Sequence, residues 1–340
     1  MKIAYLTGIR RVELDDGPEP KLQRPDDVLI NVITVGVCGS DMHYYRTGRI
    51  GDMVVEYPFA VGHEFCGEVL EVGPEVDRVR RGDRVAVDPL IPCGRCDQCT
   101  AGREHTCRDQ VFLGCPGQMQ GCLAERIVMP QRCCYPVPET LTSEQAALIE
   151  PFSIGLYAQR LAGDMAGKSV AILGVGPIGL CVLLAARAAG AERVFVTDIR
   201  DNRARLAAEC GADWAGNPEK QDVVAEILRR QPEGVDFAYE CAGEQETLDQ
   251  AVGVLTPGGK VLIVGIPEFE RFSFRADVTR RNELSIQSVR RQNRCVQPAI
   301  DMVAKGKVHL DALVTHRFPL ERTQEALDLV ADYRLSLIHI

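Results

Sequence analysis

The stretch Ser169-Val-Ala-Ile-Leu173-Gly174-Val-Gly176-Pro-Ile-Gly179 decides the fold of the second half of the chain. Its first five residues predict a short buried strand, and a G-x-G-x-x-G turn follows that strand at once. A helical pattern then runs to Gly190, and a second strand pattern, Arg193–Thr197, is followed by Asp198. The glycine pattern alone would be weak evidence. With a strand before it, a helix after it and an acid 24 residues after its first glycine, it predicts a dinucleotide-binding βαβ unit.

The glycines of this turn let its backbone approach a pyrophosphate, whose charge the free amides at the helix N-terminus would meet. The predicted cofactor-binding residues of the turn are Gly174, Gly176, Pro177, Ile178 and Gly179. Asp198 should accept hydrogen bonds from the ribose 2′- and 3′-hydroxyls, and its charge would repel a 2′-phosphate, so NAD is predicted rather than NADP. Arg203 is a further candidate cofactor contact, although its guanidinium group, like that of Arg200, could accommodate a phosphate.

Four cysteines upstream follow the spacing C-x2-C-x2-C-x7-C: Cys93, Cys96, Cys99 and Cys107. Four thiolates on so short a loop can converge on one tetrahedral ion, and zinc is the usual occupant. A redox loop is a weaker alternative, and iron–sulfur clusters are usually bound by runs with different spacing. Four protein ligands would close the ion to substrate. The loop therefore predicts a structural zinc, and the reaction chemistry must lie elsewhere.

Length and composition define the class of protein. A chain of 340 residues predicts two domains, and 46% hydrophobic with 26% charged residues describes a soluble globular protein. The formal charge of −9 argues against a nucleic-acid surface. The longest apolar run, near 180–189, is too short to span a membrane. Fourteen cysteines without a secretory signal fit a reducing cytosol, so a cytoplasmic location is expected.

Two segments near the N-terminus carry a second set of candidate zinc ligands. Cys38 lies in the glycine-flanked run 36–44, and His63 and Glu64 lie in the run 62–67. Each residue alone is a weak signal, since a lone cysteine or histidine is more often structural than a ligand. Together, upstream of a four-cysteine loop, they favour a metal site. Glu150 follows the apolar run Ala146–Leu148, and the sequence leaves open whether it is an exposed turn residue, a half-buried and paired carboxylate, or a ligand.

The order of these patterns gives a domain layout. Short β-like runs, among them Gly121–Met129, fill the region before residue 138. Strands and helices alternate from Lys168, with a helix over Asp222–Arg230, and Ser285–Val289 is either the last strand of this part or the start of a return. Beyond it, helical segments are separated by the β-like run Leu313–Phe318. We assign residues 1–152 and 286–340 to a β-rich, metal-bearing domain and residues 153–285 to an inserted dinucleotide-binding domain.

Taken together, the motifs are those of a known family. The chain resembles the zinc-dependent medium-chain alcohol dehydrogenases, and within them the sorbitol and xylitol (polyol) dehydrogenases, over nearly its whole length. The motifs that carry the resemblance are Gly36–His43, Gly62–Gly67, the four-cysteine loop, Glu150-Pro151, Gly174–Gly179 with Asp198, and Val314–Pro319. The resemblance implies an α/β fold class, with a Rossmann dinucleotide-binding domain inserted in a mainly β GroES-like catalytic domain that carries both zinc sites.

The resemblance also implies a catalytic zinc ion held by Cys38, His63 and Glu64, with Glu150 close by as a direct ligand or acting through water. Which of the two glutamates ligates the ion directly stays open. Glu150 resembles the polyol branch, because simple alcohol dehydrogenases commonly carry a cysteine at that place. An open zinc position would lower the pKa of a bound water toward ~7, and would act likewise on a bound alcohol.

Further roles follow from the same resemblance. Ser40 is expected to take the hydroxyl proton and His43 to relay it to solvent, although a turn hydroxyl and a structural histidine are the alternatives. Tyr44, Arg291 and Gln292 are the candidate substrate contacts. Gln292 departs from the branch, which commonly has tyrosine there, so the substrate of the branch cannot be assumed. His316 is expected to be structural, and the stretch 335–340 departs from the usual closing strand and carries no functional prediction.

The predicted activity is reversible NAD-dependent oxidation of a secondary alcohol in a polyol or sugar acid to the ketone. The predicted partners are this small-molecule substrate and further copies of the chain, as a homodimer or homotetramer, with no nucleic acid and no membrane. A threonine-type amino-alcohol dehydrogenase and a simple alcohol dehydrogenase are the nearest alternatives. A zinc-free quinone reductase and a non-catalytic nicotinamide-binding protein are disfavoured by the intact zinc motifs.

Overall fold

The computed structural model describes residues 1–332 and 338–340. It has two compact units: unit 1, formed by Met1–Glu150 and Val296–Ile340, and unit 2, formed by Pro151–Cys295. The strands, in chain order, are β1 (Lys2–Gly8), β2 (Arg11–Asp16), β3 (Asp27–Gly36), β4 (Arg49–Ile50), β5 (Met53–Val54), β6 (Glu64–Val72), β7 (Arg84–Val87), β8 (Leu90–Ile91), β9 (Val111–Phe112), β10 (Arg126–Pro130), β11 (Cys134–Pro136), β12 (Ser169–Leu173), β13 (Arg193–Thr197), β14 (Trp214–Gly216), β15 (Val235–Glu240), β16 (Leu255–Ile263), β17 (Ser285–Ser288), β18 (His316–Arg317) and β19 (Ile338–His339). The α-helices are α1 (Gly39–Thr47), α2 (Asp97–Thr100), α3 (Ser143–Ala147), α4 (Ile149–Ala162), α5 (Pro177–Ala188), α6 (Asp201–Glu209), α7 (Val223–Arg230), α8 (Gln245–Gly253), α9 (Ala276–Arg281), α10 (Val296–Ala304) and α11 (Thr323–Ala331).

The main sheet of unit 1 has the strand order β11-β7-β6-β3-β19-β18, and β10 also pairs with β3. Its central strands are β3 and β6, whose inward-facing residues, such as Ile30 and Val69, are fully buried in the core. The two strands are antiparallel, and at one end Gly36 lies opposite Glu64. This register makes neighbours of the segment that follows β3 and the segment that precedes β6, which are the two segments that carry the predicted zinc ligands.

Unit 2 is built on six parallel strands in the order β14-β13-β12-β15-β16-β17. The residues of β12 are buried on both faces, as expected for a central strand covered by helices on each side. The chain passes from β12 to β13 on one side and later to β15 on the other. A doubly wound sheet of this kind binds ligands at the carboxyl ends of the strands where the order reverses. Gly174 lies at that point, directly after β12.

The chain passes from unit 1 to unit 2 after Glu150 and returns to unit 1 after Cys295. The sequence analysis placed the two domain boundaries after residues 152 and 285. The difference at the second boundary has a structural reason. Residues Ser285–Ser288 form β17, which pairs in parallel with β16 from Lys260↔Ser285 to Ile263↔Ser288. The strand therefore extends the sheet of unit 2, and the return to unit 1 begins only with α10.

Two β-like runs of the sequence are shorter in the structure. The run Gly121–Met129 becomes a strand only from Arg126, because the amides of Cys122 and Leu123 donate to the carbonyls of Gly62 and Val61. In the run Leu313–Phe318 only His316 and Arg317 form a strand. Of the C-terminal stretch 335–340, residues 335–337 lie outside the described residues, and β19 pairs with β18 and with Gly36.

The dinucleotide turn gives a matched pair of stability predictions. A Cβ atom at Gly179 would lie 2.1 Å from the Gly174 carbonyl oxygen, whereas a Cβ at Gly176 would meet the Arg203 Nη1 at 3.6 Å, an ordinary contact. We expect Gly179→Ala to lower the free energy of unfolding by about 1–3 kcal/mol through overpacking. Gly176→Ala should keep the stability of the wild type and lose dinucleotide affinity. Thermal unfolding checks this, and equal midpoints for the two variants would contradict it.

Candidate metal centre and dinucleotide site

Cys38, His63 and Glu64 form one group in unit 1. Among the residues that the structure describes, it is one of two groups whose candidate ligand atoms all lie within 4.8 Å of one another. The antiparallel register of β3 and β6 brings the three together, since Cys38 follows β3 and Glu64 begins β6. Gly36 leaves the necessary space, because a Cβ there would lie 2.6 Å from the Glu64 Oε2.

The electrostatics of this group fit a divalent cation. Burial raises the pKa of the Cys38 thiol to about 11 and the pKa of the Glu64 carboxyl to about 7, so burial disfavours the charged form of both groups. In the described part of the chain, no group hydrogen-bonds the buried Glu64 Oε2. An uncompensated carboxylate oxygen in such a place is costly. A zinc ion would replace the protons and satisfy the oxygen, and a thiolate, an imidazole and a carboxylate are donors that zinc accepts.

Asp41 is a further candidate site residue, which the sequence analysis did not identify. It is 1% exposed and lies at the third position of α1, where its Oδ2 accepts a hydrogen bond of 3.0 Å from the Cys38 amide. Its Oδ1 accepts one of 3.1 Å from the Gly62 amide and lies 3.4 Å from the His63 Nδ1. One carboxylate thus holds both ligand segments and leaves the other nitrogen of the His63 ring for a metal. The spacing of a capping box, three residues after Cys38, was the signal that could have found it.

The charges around His63 act in opposite directions. Burial lowers the pKa of this imidazole, but the neighbouring Cys38 and Asp41 raise it well above its usual value. The Asp41 carboxylate lies 3.4 Å from the Nδ1 atom, so its negative charge favours a proton on that nitrogen. This pairing of a carboxylate with a histidine is the arrangement that orients metal-binding imidazoles and fixes their tautomer.

The predicted proton-transfer and substrate residues of this region lie on α1. Ser40, His43 and Tyr44 are three and four residues apart, so they share one face of the helix. Ser40 and His43 are half-buried, whereas Tyr44 is buried with its hydroxyl 3.9 Å from the Cys115 Sγ. The structure therefore brings these three side chains to one helix face, beginning two residues after Cys38.

Glu150 is buried at the first turn of α4, with 6% of its surface exposed. The exposed-turn alternative therefore does not apply. A position in the first turn is favourable for a carboxylate, because the helix N-terminus carries partial positive charge. In the searched part of the chain, its carboxylate is not a member of the three-residue group.

The four-cysteine loop forms the second metal-binding group: Cys93, Cys96, Cys99 and Cys107. The Cys96 Sγ lies 3.6 Å from the Cys99 Sγ and 3.8 Å from the Cys107 Sγ. A tetrahedron with zinc–sulfur bonds of about 2.3 Å has edges of about 3.8 Å, so the thiols already have the spacing that zinc requires. Amide hydrogen bonds from Arg108 and Cys99 lower the pKa of Cys96 to about 6, which favours the thiolate that binds metal.

The segment that leaves this loop packs against the His63 turn. Strand β9 pairs with β8 at the base of the loop, and the ring of Phe112 lies 5.3 Å from the imidazole of His63 at an angle of 59°. Two residues later, Gly114 lies so close to Gly62 that a Cβ there would be 2.8 Å from the Gly62 carbonyl oxygen. The structural loop and the candidate catalytic group are therefore linked through a short stretch of chain, which the sequence motifs did not indicate.

The predicted cofactor residues of unit 2 lie together at the carboxyl ends of β12 and β13. Helix α5 begins at Pro177 with Gly176 as its N-cap, so the free amides of its first turn lie beside the glycine turn. The buried Asp198 accepts hydrogen bonds from the amides of Val175 (3.0 Å, to Oδ2) and Arg200 (2.8 Å, to Oδ1). A carboxylate has about four acceptor positions, so it can still bind ribose hydroxyls. The turn and the acid thus fit a dinucleotide.

Three further candidates lie in unit 2: Arg203 for the cofactor, and Arg291 and Gln292 for the substrate. The Arg203 Nη1 lies 3.9 Å from the Asp198 Oδ2, at the edge of an ion pair. Arg291 follows β17 in a left-handed backbone conformation, with φ of 52°. Gln292 is buried, and its Oε1 accepts a hydrogen bond of 2.8 Å from the Cys295 amide. The structure therefore gives Gln292 a role in holding its own loop.

Comparison with known proteins places these sites in a family context. The model of an alcohol dehydrogenase GroES-like domain matches residues 24–139, and that of a zinc-binding dehydrogenase matches residues 177–305. Sorbitol dehydrogenase of Bacillus subtilis (strain 168) is 39% identical over 341 residues, covering 100% of this chain and 96% of that protein. L-idonate 5-dehydrogenase of Vitis vinifera is 35% identical over 335 residues, covering 96% of this chain and 91% of that protein.

A solved structure matches the chain over nearly its whole length. A protein of Sinorhizobium meliloti 1021, described as a zinc-binding dehydrogenase and bound to NADP, matches with a TM-score of 0.91 and 33% sequence identity. The match covers 99% of this chain and 98% of that chain. Within the described residues, no helix has the length and apolar character needed to cross a membrane.

The four-cysteine loop should be needed for stability rather than for the chemical step. We expect Cys96→Ser to remove one zinc ion per chain and to lower the unfolding midpoint, because the binding energy of the ion holds the loop folded. Metal analysis and thermal unfolding check this. Cys210→Ser, at the C-terminal end of α6 and outside the loop, is the matched control and should leave the zinc content unchanged. Loss of the metal with an unchanged midpoint would contradict the structural role.

Asp41 should control metal affinity at the other group. We expect Asp41→Ala to weaken zinc binding there by about 10–100-fold, as is typical when the partner of a ligating histidine is removed. Competition of the purified protein with a chelator measures this affinity directly. Asp52→Ala, a surface change in the same region, is the control. Wild-type zinc affinity in the Asp41 variant would show that the carboxylate does not orient His63.

Proposed function

Because the chain belongs to the zinc-binding dehydrogenase family with an alcohol dehydrogenase GroES-like domain, we propose that it oxidises a secondary hydroxyl of a polyol or sugar acid to a ketone, with NAD as hydride acceptor. The protein is an oxidoreductase. The observation that carries the proposal is the buried group of Cys38, His63 and Glu64, whose donors fit zinc. The substrate class is supported by relatives that are named for sorbitol and for L-idonate.

The candidate site residues of unit 1 have separate roles in this proposal. Cys38, His63 and Glu64 would hold a zinc ion, which lowers the pKa of an alcohol bound to it. Asp41 keeps the His63 ring in orientation. Ser40 takes the proton of the substrate hydroxyl, and His43 on the same face of α1 passes it to solvent.

Glu150 is proposed to act near the same group through a water molecule. Its carboxylate is buried, and a buried carboxylate needs a hydrogen-bonded or charged partner. In the part of the chain that was searched for ligand groups, it does not join Cys38, His63 and Glu64. Glu64 is therefore the better candidate for the direct carboxylate ligand.

Unit 2 supplies the hydride acceptor. The glycine turn and the N-terminus of α5 would bind the pyrophosphate of the cofactor, and Asp198 the adenosine ribose. Hydride chemistry belongs to the nicotinamide ring, and the residues of the chain bind and orient it. The NADP bound to the Sinorhizobium meliloti protein shows that the preference for NAD needs a test of its own.

The polyol or sugar-acid assignment is favoured over a simple alcohol by the polar candidates in the chain. Tyr44 offers a hydroxyl and Arg291 a guanidinium group, and polar groups of this kind are what fixes the orientation of a polar ligand in a binding pocket. Several substrate hydroxyls could form hydrogen bonds with them, and a carboxylate end could bind Arg291 in a bidentate pair. Gln292 contributes less to this argument, because its amide oxygen is already used by the Cys295 amide.

The assembly and the location of the protein stay predictions. A homodimer or homotetramer is proposed, and light scattering of the purified protein distinguishes the two. The cytoplasmic location is proposed from the number of cysteines, fourteen, which fits a reducing compartment.

The NAD preference should depend on Asp198. We expect Asp198→Ala to lower the ratio of kcat/KM for NAD to kcat/KM for NADP by about tenfold or more, since a carboxylate both bonds the ribose diol and repels a 2′-phosphate. The ratio is the measurement, because the variant also loses two amide contacts and could be less stable. Asp213→Ala is the control, because Asp213 directly precedes the neighbouring strand β14 and so lies at the opposite edge of the sheet from Asp198. Equal efficiency of the wild type with both cofactors would overturn the preference.

The substrate class should depend on Arg291. We expect Arg291→Ala to lower kcat/KM for the best polyol or sugar acid by about 100-fold, while a short monohydric secondary alcohol changes by less than about threefold. The exposed neighbour Arg290 provides the matched control, and Arg290→Ala should leave both values near those of the wild type. If simple alcohols are better substrates than every polyol and sugar acid tested, the substrate assignment fails.

A further inference from the structure

A second buried carboxylate, Glu240, lies at the carboxyl end of β15 in unit 2. It is fully buried, and it has no role in the proposed chemistry. Its Oε1 accepts three hydrogen bonds, from the amides of Ala242 and Gly243, both at 2.7 Å, and from the Thr247 hydroxyl at 2.8 Å. Within the described residues, no group hydrogen-bonds its Oε2. A carboxyl group buried in this way is expensive to keep, so it calls for an explanation.

The three donors show what Glu240 holds. Ala242 and Gly243 belong to the loop that connects β15 to α8, and Thr247 lies in the first turn of that helix. The Glu240 Oε1 therefore connects the loop to the first turn of the helix through hydrogen bonds. The other oxygen is closed off by Gly265, where a Cβ would lie 2.7 Å from it.

The loop held by Glu240 lies against the dinucleotide turn. A Cβ at Gly174 would lie 2.9 Å from the Ala242 Cβ, and the Cys241 amide donates to the Leu173 carbonyl at 2.8 Å. On the other side, the amides of Val264 and Gly265 donate to the Glu240 carbonyl. Loop 241–243 is thus packed between the turn after β12 and the turn after β16.

The strand order says which half of a dinucleotide this loop would serve. Asp198, the candidate for the adenosine ribose, follows β13, which lies on one side of β12. Strands β15 and β16 lie on the other side. A dinucleotide with its pyrophosphate at the β12–α5 turn spans both sides, so its nicotinamide half lies over the ends of β15 and β16.

We propose that Glu240 is a positioning residue for the cofactor, which holds loop 241–243 against the Gly174 turn and thereby sets the affinity for the nicotinamide half of NAD(H). The proposal rests on the proposed function, because it requires that unit 2 binds a nicotinamide dinucleotide. Glu240 acts through the loop amides and does not itself touch the cofactor. Its loss should leave the adenosine half, held by Asp198 and α5, largely unaffected.

The test compares the binding of NADH with the binding of ADP to the purified full chain. We expect Glu240→Ala to raise the Kd of NADH by about tenfold or more, since small displacements of a positioned group have effects of this size. The Kd of ADP, which carries only the adenosine and pyrophosphate part, should change by less than about threefold. Thr247→Val removes one of the three donors and should change the NADH Kd in the same direction by a smaller factor, which keeps the test decisive if Glu240→Ala does not fold.

Two control variants separate positioning from general stability. Asp236 lies at the opposite end of β15, where it accepts hydrogen bonds from the Ser169 amide, the Ser169 hydroxyl and the Lys168 ammonium group, each at 2.9 Å. Asp236→Ala should lower the unfolding midpoint and leave the ratio of the two Kd values unchanged. Tyr239→Phe, a change of the adjacent buried side chain, should leave the midpoint and the ratio near those of the wild type.

The outcomes distinguish this inference from the proposed function. A selective loss of NADH affinity in the Glu240 and Thr247 variants supports the positioning role. Parallel loss of NADH and ADP affinity in proportion to the lowered midpoint, as a purely structural role would give, overturns it. Unchanged affinity for both ligands overturns it as well. Failure of the wild type to bind NADH or NADPH would instead remove the proposed function, and the inference with it.

Discussion

The antiparallel register of β3 and β6 is the constraint on which the candidate metal centre depends. Because Gly36 lies opposite Glu64, the chain that leaves β3 with Cys38 meets the chain that enters β6 with His63. A shift of one residue would turn the side chains of β6 to the other face of the sheet. The buried residues of both strands oppose such a shift, so the hydrophobic core of unit 1 fixes the geometry of a polar site at its edge.

A second theme is the use of buried carboxylates to hold loops at the ends of strands. Asp41 accepts hydrogen bonds from the amides of Cys38 and Gly62. Asp198 accepts them from the amides of Val175 and Arg200, and Glu240 accepts them from the amides of Ala242 and Gly243. Each lies where a strand ends or a ligand segment begins. Because each carboxylate accepts hydrogen bonds from the amides of a functional loop, these residues hold the loops at the edge of the core in defined positions.

Much of the architecture could be predicted because local patterns determine it. The β12–α5 unit, helix α7 and the four-cysteine loop follow from spacing and periodicity, and the family and fold class are confirmed by the matching domains and relatives. Seven of the eight predicted zinc ligands form two groups among the described residues, Cys38 with His63 and Glu64, and the four cysteines, whereas Glu150 is in neither group. These ligand sets could be found because zinc limits the residue types and their number.

What the sequence did not indicate depends on contacts between distant segments. The sequence does not show that Asp41 lies beside His63, or that the ring of Phe112 packs against the same imidazole. The sequence does not show the partner of the β-like run that begins at Ser285, and in the structure this run, β17, pairs with β16. The sequence also does not show that the Gln292 Oε1 accepts a hydrogen bond from the Cys295 amide, and the substrate contact of Gln292 stays a prediction.

Zinc at the Cys38 group is expected to be needed for the dehydrogenase activity, whereas zinc at the four-cysteine loop is expected to stabilise the fold. A chelation series that follows zinc content, NAD-dependent oxidation of sorbitol or L-idonate and the unfolding midpoint tests this directly. We expect two zinc ions per chain, with loss of turnover when the Cys38 group is emptied and a lowered midpoint when the four-cysteine loop is emptied. Full turnover in protein that has lost both ions would show that zinc is not needed for the reaction.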